Sequence, residues 1–368
     1  MPDMSDLDVT HNPTLAMPSF EYSVFHGSQS GHVVPVTLKR SLQPTDALVE
    51  ISYAGLCGAD RLSKNKNVPL GHHGTGIVRD IGSAVQLVKV GDQVGFAGTQ
   101  VPCGSCDYCI AGTCPADLLI WRLLTPSDKE QYCEQRAHFE KVGSFATHAI
   151  WHEKMLIQLP AGGDPKTAAS LMCGGAIMWE ILTSYNIRPG DRIGVHGLGG
   201  LGHVAVQFTR ALGCEVVVFC SSPSKHQDAM AIGANEFHVT HDLTPQTPVQ
   251  PVQHLLWCRD AAPKFDKIMP QIACAGTVYI LSVGLGAVTV PAQSLVANGI
   301  RIQGSCGASR RTVRKMLRFV QLHGIRPVIM NWPMTSEGIE AAFCTLEEGK
   351  MRYRGVLVGH AHGTVEKF

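Results

Sequence analysis

The chain has 368 residues, 45 % of them hydrophobic, and 31 basic against 30 acidic side chains give a formal net charge of +1. That length predicts about two domains with substantial cores, and the near-neutral balance excludes a nucleic-acid footprint and an acidic disordered protein. No run of about 18 apolar residues occurs, so no membrane span is expected, and thirteen cysteines, an odd number, predict reduced thiols and metal ligands rather than a disulfide framework.

Residues up to about Pro18 read as a polar extension without the layout of a signal peptide, so a cytoplasmic location is expected. From Phe20 onward short alternating segments follow one another: Val33–Leu38, Ala47–Tyr53, Gly76–Gly82 and Gly91–Phe96. Short strands at close intervals predict a β-rich domain or barrel. The texture changes near Pro165. Lys166–Tyr185 reads as one or two helices, and strands then alternate with helices. Ile193–Val195, Glu215–Phe219, Val252–Trp257 and Thr277–Leu281 are the strands, and Lys225–Ile232 is a helix closed by Gly233. This β-α-β alternation predicts an α/β fold with a doubly wound parallel sheet. Beyond Gly304, helices over Arg311–Leu322 and Ser336–Leu346 and a strand near Arg352–Gly359 return the chain to the first domain. The expected division is one domain over 1–165 and 309–368, with a second over 166–308 between its halves.

The chain is organised around Gly197, Gly199 and Gly202, which spell G-x-G-x-x-G. The pattern alone is weak in a glycine-rich chain. Here a buried strand precedes it, and Val204, Ala205, Phe208, Ala211 and Leu212 follow at helical spacing. That context predicts a tight turn, close backbone approach to a pyrophosphate, and a helix N-terminus aimed at it.

Two sets of metal-ligand residues stand out. Cys103, Cys106, Cys109 and Cys114 lie within twelve residues, and four thiolates close a tetrahedral zinc shell with no open position, so this site is expected to be structural. Cys57, His72 and Cys173 are far apart, and spacing alone does not join them. One histidine and two cysteines are nonetheless the protein ligands of an open catalytic zinc.

The stretches Gly55–Asp60, Gly71–Gly76, Gly91–Gly95, the four-cysteine loop, Ala168–Gly174, Gly197–Gly202 and Met351–Arg354 together resemble the zinc-dependent medium-chain alcohol dehydrogenases, most of all the cinnamyl alcohol dehydrogenase branch. The resemblance spans nearly everything from Glu21 to Gly359. It implies a β-rich GroES-like catalytic domain interrupted by a Rossmann domain, with zinc at the cleft. It assigns Cys57, His72 and Cys173 to the catalytic zinc and Cys103, Cys106, Cys109 and Cys114 to a structural one. Asp60 matches a carboxylate that steadies the ligand histidine. It further implies a homodimer, with the strand region around Ala287–Ile302 as the contact. The cofactor-binding candidates are Gly197, Leu198, Gly199, Gly200, Leu201, Gly202, Ser221, Ser222, Lys225 and Val283.

Relatives that use NAD carry an acidic residue about 20 residues past the last fingerprint glycine. Phe219–Lys225 fills that place with no carboxylate. Ser221, Ser222 and Lys225 can instead bond and neutralise a 2′-phosphate, so NADP(H) is expected. Three departures from the family pattern stand out. His73 occupies the position of a usual glutamate, either as a neutral fourth ligand or as a packed ring. Ala59 replaces the hydroxyl residue that relays a proton, and general acid catalysis typically contributes about 10²–10⁴-fold. The four-cysteine loop is shorter than usual. Gly98 suggests a widened cleft, Trp121 and Trp179 are candidate pocket walls, and Ile120–Lys141 is a candidate substrate loop.

The expected function is hydride transfer from NADPH to a small-molecule aldehyde or ketone. The alternatives are reduction of an iminium or conjugated C=C, and a catalytically decayed dinucleotide-binding protein.

Overall fold

The computed structural model describes residues 18–97, 105–111, 143–244, 247–281, 287–305 and 307–359. In chain order, β1 (Ser19–His26) and β2 (Val34–Ser41) form an antiparallel ribbon. They are followed by β3 (Asp46–Leu56), β4 (His73–Ile81), β5 (Gln93–Ala97), β6 (His148–His152) and β7 (Ile157–Gln158). Next come β8 (Arg192–His196), β9 (Glu215–Cys220), β10 (Glu236–Val239), β11 (Val252–Trp257), β12 (Ile272–Ile280) and β13 (Arg301–Gly304). Last are β14 (Ile329–Pro333) and β15 (Arg354–Val358).

Two larger sheets divide these strands. One runs β14-β15-β3-β4-β5-β7, with β6 also on β3. Its central strand β3 is buried along almost its whole length because β4, β6 and β15 all pair with it. The other runs β10-β9-β8-β11-β12-β13 and is parallel throughout. Its inner strands β8, β9 and β11 are buried along nearly their whole length, as a sheet covered on both faces requires. Strand order reverses between β8 and β11, so the crevice that binds ligands in open α/β sheets lies past their carboxyl ends. Gly197 follows β8 there.

The helical run before β8 is broken in two. Pro165–Leu171 starts sharply, with Pro165 in the first turn and the Asp164 carboxylate accepting from the amides of Lys166 and Thr167 at 3.2 and 3.0 Å. It ends at Met172, and Cys173, at φ −102 and ψ −78, opens the next helix, Gly174–Ser184. The first helix packs on β3 and β4; the second packs on the helices Gly202–Ala211 and Arg310–Leu322. The joint therefore crosses from one sheet's lobe to the other with a cysteine at the crossing. Val313, Met316, Leu317 and Val320 of Arg310–Leu322 share one core with Val195 and Val204, so this helix lies against the dinucleotide lobe.

Two expectations differ from the fold. Trp179 is core: its ring lies 4.3 Å from Phe319 and 5.9 Å from Phe208, centroid to centroid. The region expected as strand around Ala287–Ile302 contains a helix, Ala292–Asn298, followed by β13. Pro291 opens that helix and Gly299, left-handed at φ +63, closes it, which is the usual proline-to-glycine asymmetry of helix ends.

Candidate active site

Four side chains converge where the two lobes meet. One donor atom from each of Cys57, His72, His73 and Cys173 lies within 4.8 Å of all the others. They reach the cluster from three separate segments. Cys57 precedes the single-turn helix Gly58–Asp60, His73 starts β4 with His72 just before it, and Cys173 sits at the helix break.

Asp60 ties two of them together. Its Oδ2 accepts from the Cys57 amide at 2.9 Å and its Oδ1 from His72 Nδ1 at 2.9 Å. With Nδ1 donating to the carboxylate, His72 Nε2 carries the lone pair and stands 3.5 Å from Cys57 Sγ. The Cys173 side chain holds the Cys57 thiol well below its usual pKa, helped by His72 and opposed by burial. Burial raises the Asp60 pKa, against the pull of His72. A thiolate, a second sulfur and an imidazole locked in one tautomer suit zinc, whose ligands must be deprotonated. Removing the Asp60 carboxylate by Asp60→Ala is expected to weaken zinc binding by roughly 10- to 100-fold, measured by chelator competition; unchanged affinity would dismiss its positioning role.

The glycine-rich turn is built by close approach. A Cβ on Gly202 would fall 1.9 Å from the Gly197 carbonyl oxygen, and Gly197 itself is left-handed at φ +101. A Cβ on Gly199 would meet nothing within 4 Å. This leaves an open backbone cradle at the start of the helix Gly202–Ala211, the shape a pyrophosphate requires. Lys225 Nζ donates to the Leu198 carbonyl at 2.7 Å and lies 5.4 Å over the Tyr353 ring. Ser222 and Ser224 hydroxyls bond each other at 2.9 Å, and Ser221 is exposed. The next carboxylate along, Asp228, is taken by the Tyr353 hydroxyl at 2.5 Å. The described residues thus place cation and hydroxyls, with no uncommitted acid, at the end of β9.

Sequence reasoning gave no role to Arg354, which joins the two halves of the site. It is buried; its Nε donates to the Ser170 carbonyl at 2.9 Å, at the end of the helix preceding Cys173. A Cβ on Gly174 or Gly200 would come within 3.1 or 3.3 Å of its guanidinium. A cation at a helix carboxyl end is favourable, and this one also abuts the cofactor turn. No spacing rule signals it, because the contact spans 184 residues of chain.

Burial pushes His196 and His203 down to about 3 from an ordinary 6.5. His196 stacks on Trp257 at 4.1 Å, and His203 Nδ1 faces the Gly199 and Gly200 carbonyls at 3.2 and 3.1 Å. Both rings are neutral when folded, so the unfolded chain binds more protons below about pH 6.5. Stability is therefore full above that pH and falls as pH drops toward 3, by up to about 1.4 kcal/mol per pH unit for each ring. Urea midpoints are expected to drop between pH 7 and 5, with a shallower slope in His203→Gln; equal slopes would refute the assignment.

Several sequence candidates lie outside this description. Cys103, Cys114, Val283, Gly98, Trp121 and the segment 120–141 are not among the described residues, and of Cys109 only the backbone is described. Cys106 is buried beside the helix Asp107–Ile110. No helix among the described residues is long and apolar enough to cross a membrane.

The alcohol dehydrogenase GroES-like domain matches residues 43–161 and the zinc-binding dehydrogenase domain residues 200–321. An alcohol dehydrogenase of Geobacillus stearothermophilus is 26 % identical over 333 residues, covering 86 % of this chain and 92 % of that protein. Cinnamyl alcohol dehydrogenase 7 of Oryza sativa subsp. japonica is 27 % identical over 358 residues, covering 89 % of each. The crystal structure of CAD from Helicobacter pylori complexed with NADP(H) superposes with a TM-score of 0.79 at 22 % identity, covering 93 % of this chain and 99 % of that one. The chain belongs to the zinc-dependent medium-chain alcohol dehydrogenase superfamily, in its cinnamyl alcohol dehydrogenase-like branch. It is an oxidoreductase of the alcohol dehydrogenase type.

Proposed function

We propose that this protein is an NADP(H)-dependent reductase of aldehydes or ketones, with zinc held by Cys57, His72 and Cys173. The observation that carries the reading is the convergence of those three donors beside Arg354, which also touches the glycine-rich turn. Bound there, the nicotinamide would supply the hydride and the zinc would polarise the carbonyl oxygen as a Lewis acid. The chain's own residues position these groups. Asp60 fixes the His72 tautomer, the Gly199 cradle admits the pyrophosphate, and Arg354 keeps the Cys173 helix in register with the turn. Ser221, Ser222 and Lys225 would take the 2′-phosphate. Steady-state rates with NADPH and NADH against aldehydes, iminium compounds and enones test the reading; no turnover of any carbonyl would overturn it.

Ala59 favours weighing a second reaction. It is buried beside Cys57 and has no hydroxyl to relay a proton. Hydride addition to an iminium carbon needs no proton on the acceptor, so preference for iminium over aldehyde in the same assay would move the assignment. Decay of activity is disfavoured by the intact donor set.

The cofactor choice has its own test. Ser221→Asp with Lys225→Ala is expected to lower kcat/KM with NADPH by roughly 10²-fold, since hydrogen bonds to charged groups contribute about 1.5–3 kcal/mol each. NADH should lose far less; equal losses would count against phosphate binding at this place.

The same reading includes a structural zinc on Cys103, Cys106, Cys109 and Cys114, hence about two zinc ions per chain by metal analysis. It also places the protein in the cytoplasm as a homodimer. β13 ends its sheet, and Val296 is 84 % exposed on the preceding helix, which supports pairing through 287–302.

A further inference from the structure

The imidazole of His73 is fully buried, at 0 % exposure, and neither ring nitrogen has a hydrogen-bond partner among the described residues. A neutral imidazole carries one donor and one acceptor, and each buried polar atom left unsatisfied costs about 1–3 kcal/mol. A ring that only fills space would be better replaced by an apolar one. His73 also has space made for it. A Cβ on Gly55 would fall 2.1 Å from His73 Nε2, so the glycine on β3 is what lets the ring sit where it does.

The ring is directed to one place. Its centroid is 4.5 Å from that of His72, and a nitrogen of it lies within 4.8 Å of the donor atoms of Cys57, His72 and Cys173. Ligands at zinc's usual bond lengths stand about 3.3–3.8 Å apart at the corners of a tetrahedron. Cys57 Sγ and His72 Nε2 already meet that spacing at 3.5 Å. The other pairs lie within 4.8 Å, so the set need contract by only about 1–1.5 Å to reach it.

We propose that His73 is a fourth protein ligand to the ion held by Cys57, His72 and Cys173, completing the tetrahedral set before substrate enters. This rests on the reading that the cluster binds a metal. Two thiolates and two neutral imidazoles balance the charge of a divalent ion, giving a site with no net charge. The two imidazoles differ in support. Asp60 holds His72 at 2.9 Å, whereas the second nitrogen of His73 has no such partner among the described residues. An orienting partner raises ligand basicity, so His73 is the weaker of the two and the one that gives way to an incoming substrate.

Cadmium NMR of the metal-exchanged wild-type protein with isotopically labelled histidine tests this without any substitution. Two histidine rings coupled to one cadmium signal are expected, and coupling to His72 alone would overturn the proposal. In the cobalt(II)-loaded protein, His73→Ala should shift the visible bands, in a difference spectrum where other thiolate sites cancel, and added imidazole should restore them. It should also weaken metal retention by at least about tenfold, the lower end of what loss of an outer hydrogen bond costs. Superimposable wild-type and variant spectra would overturn the assignment of His73 while leaving the metal reading intact. A protein that takes up no ion at Cys57, His72 and Cys173 would overturn both.

Discussion

Cys173→Ser is expected to empty the three-donor site of metal and lower turnover by about 10³-fold or more, since a Lewis acid contributes several kcal/mol and each 1.4 kcal/mol is tenfold. Serine nearly matches the volume of cysteine, so packing at the buried joint is kept. Its hydroxyl does not ionise near neutral pH and is a poor zinc donor. The break in the helical run should survive, because the Arg354 contact to Ser170, at the end of the first helix, does not involve the thiol. Circular dichroism and NADPH affinity should therefore stay close to wild type while metal content and kcat fall together. Full turnover in a variant shown to lack metal at this site would remove zinc from the mechanism.

The second large effect separates two glycines of one motif. Gly202→Ala places a methyl 1.9 Å from a backbone oxygen that cannot move alone. It should lower the unfolding midpoint, with a cost of at least about 1–3 kcal/mol, as for other overpacked sites. Gly199→Ala meets nothing within 4 Å in the protein, so thermal stability should change little. The added methyl lies where the pyrophosphate must approach the backbone, and NADPH affinity should fall by roughly tenfold or more, a loss of about 1.4 kcal/mol. Thermal melts with and without NADPH, together with fluorescence titration, read both. Equal stability losses in the two variants would show that the cradle is only a turn.

The dinucleotide half was legible because its signals are local. An apolar strand, three glycines at fixed offsets and a helical repeat are contiguous, and β8 and β11 appear almost where the pattern put them. The metal cluster was not legible in that way. Cys57, His72 and Cys173 come from separate segments, and only the family resemblance brought them together before the fold did. His73 was legible only as a departure from a pattern; that its nitrogens lie buried without partners among the described residues, in space provided by Gly55, is a fact of three-dimensional packing. Arg354 is harder still, since its contacts join β15 to a helix and a turn far earlier in the chain. The helix Ala292–Asn298 lies where the family resemblance implies strand, and tertiary context decides such short apolar runs.

The seating of β15 on β3, at Gly355 against Leu56, bears on biosynthesis. As the nascent chain leaves the ribosome, β3 emerges early and its partner almost last, after the whole parallel sheet has had time to form. The Tyr53–Leu56 stretch of one β3 margin stays uncovered through that interval, an aggregation hazard that grows with slow, long-range pairing. A premature stop codon anywhere before β15 would leave that margin bare for good and remove Arg354 as well.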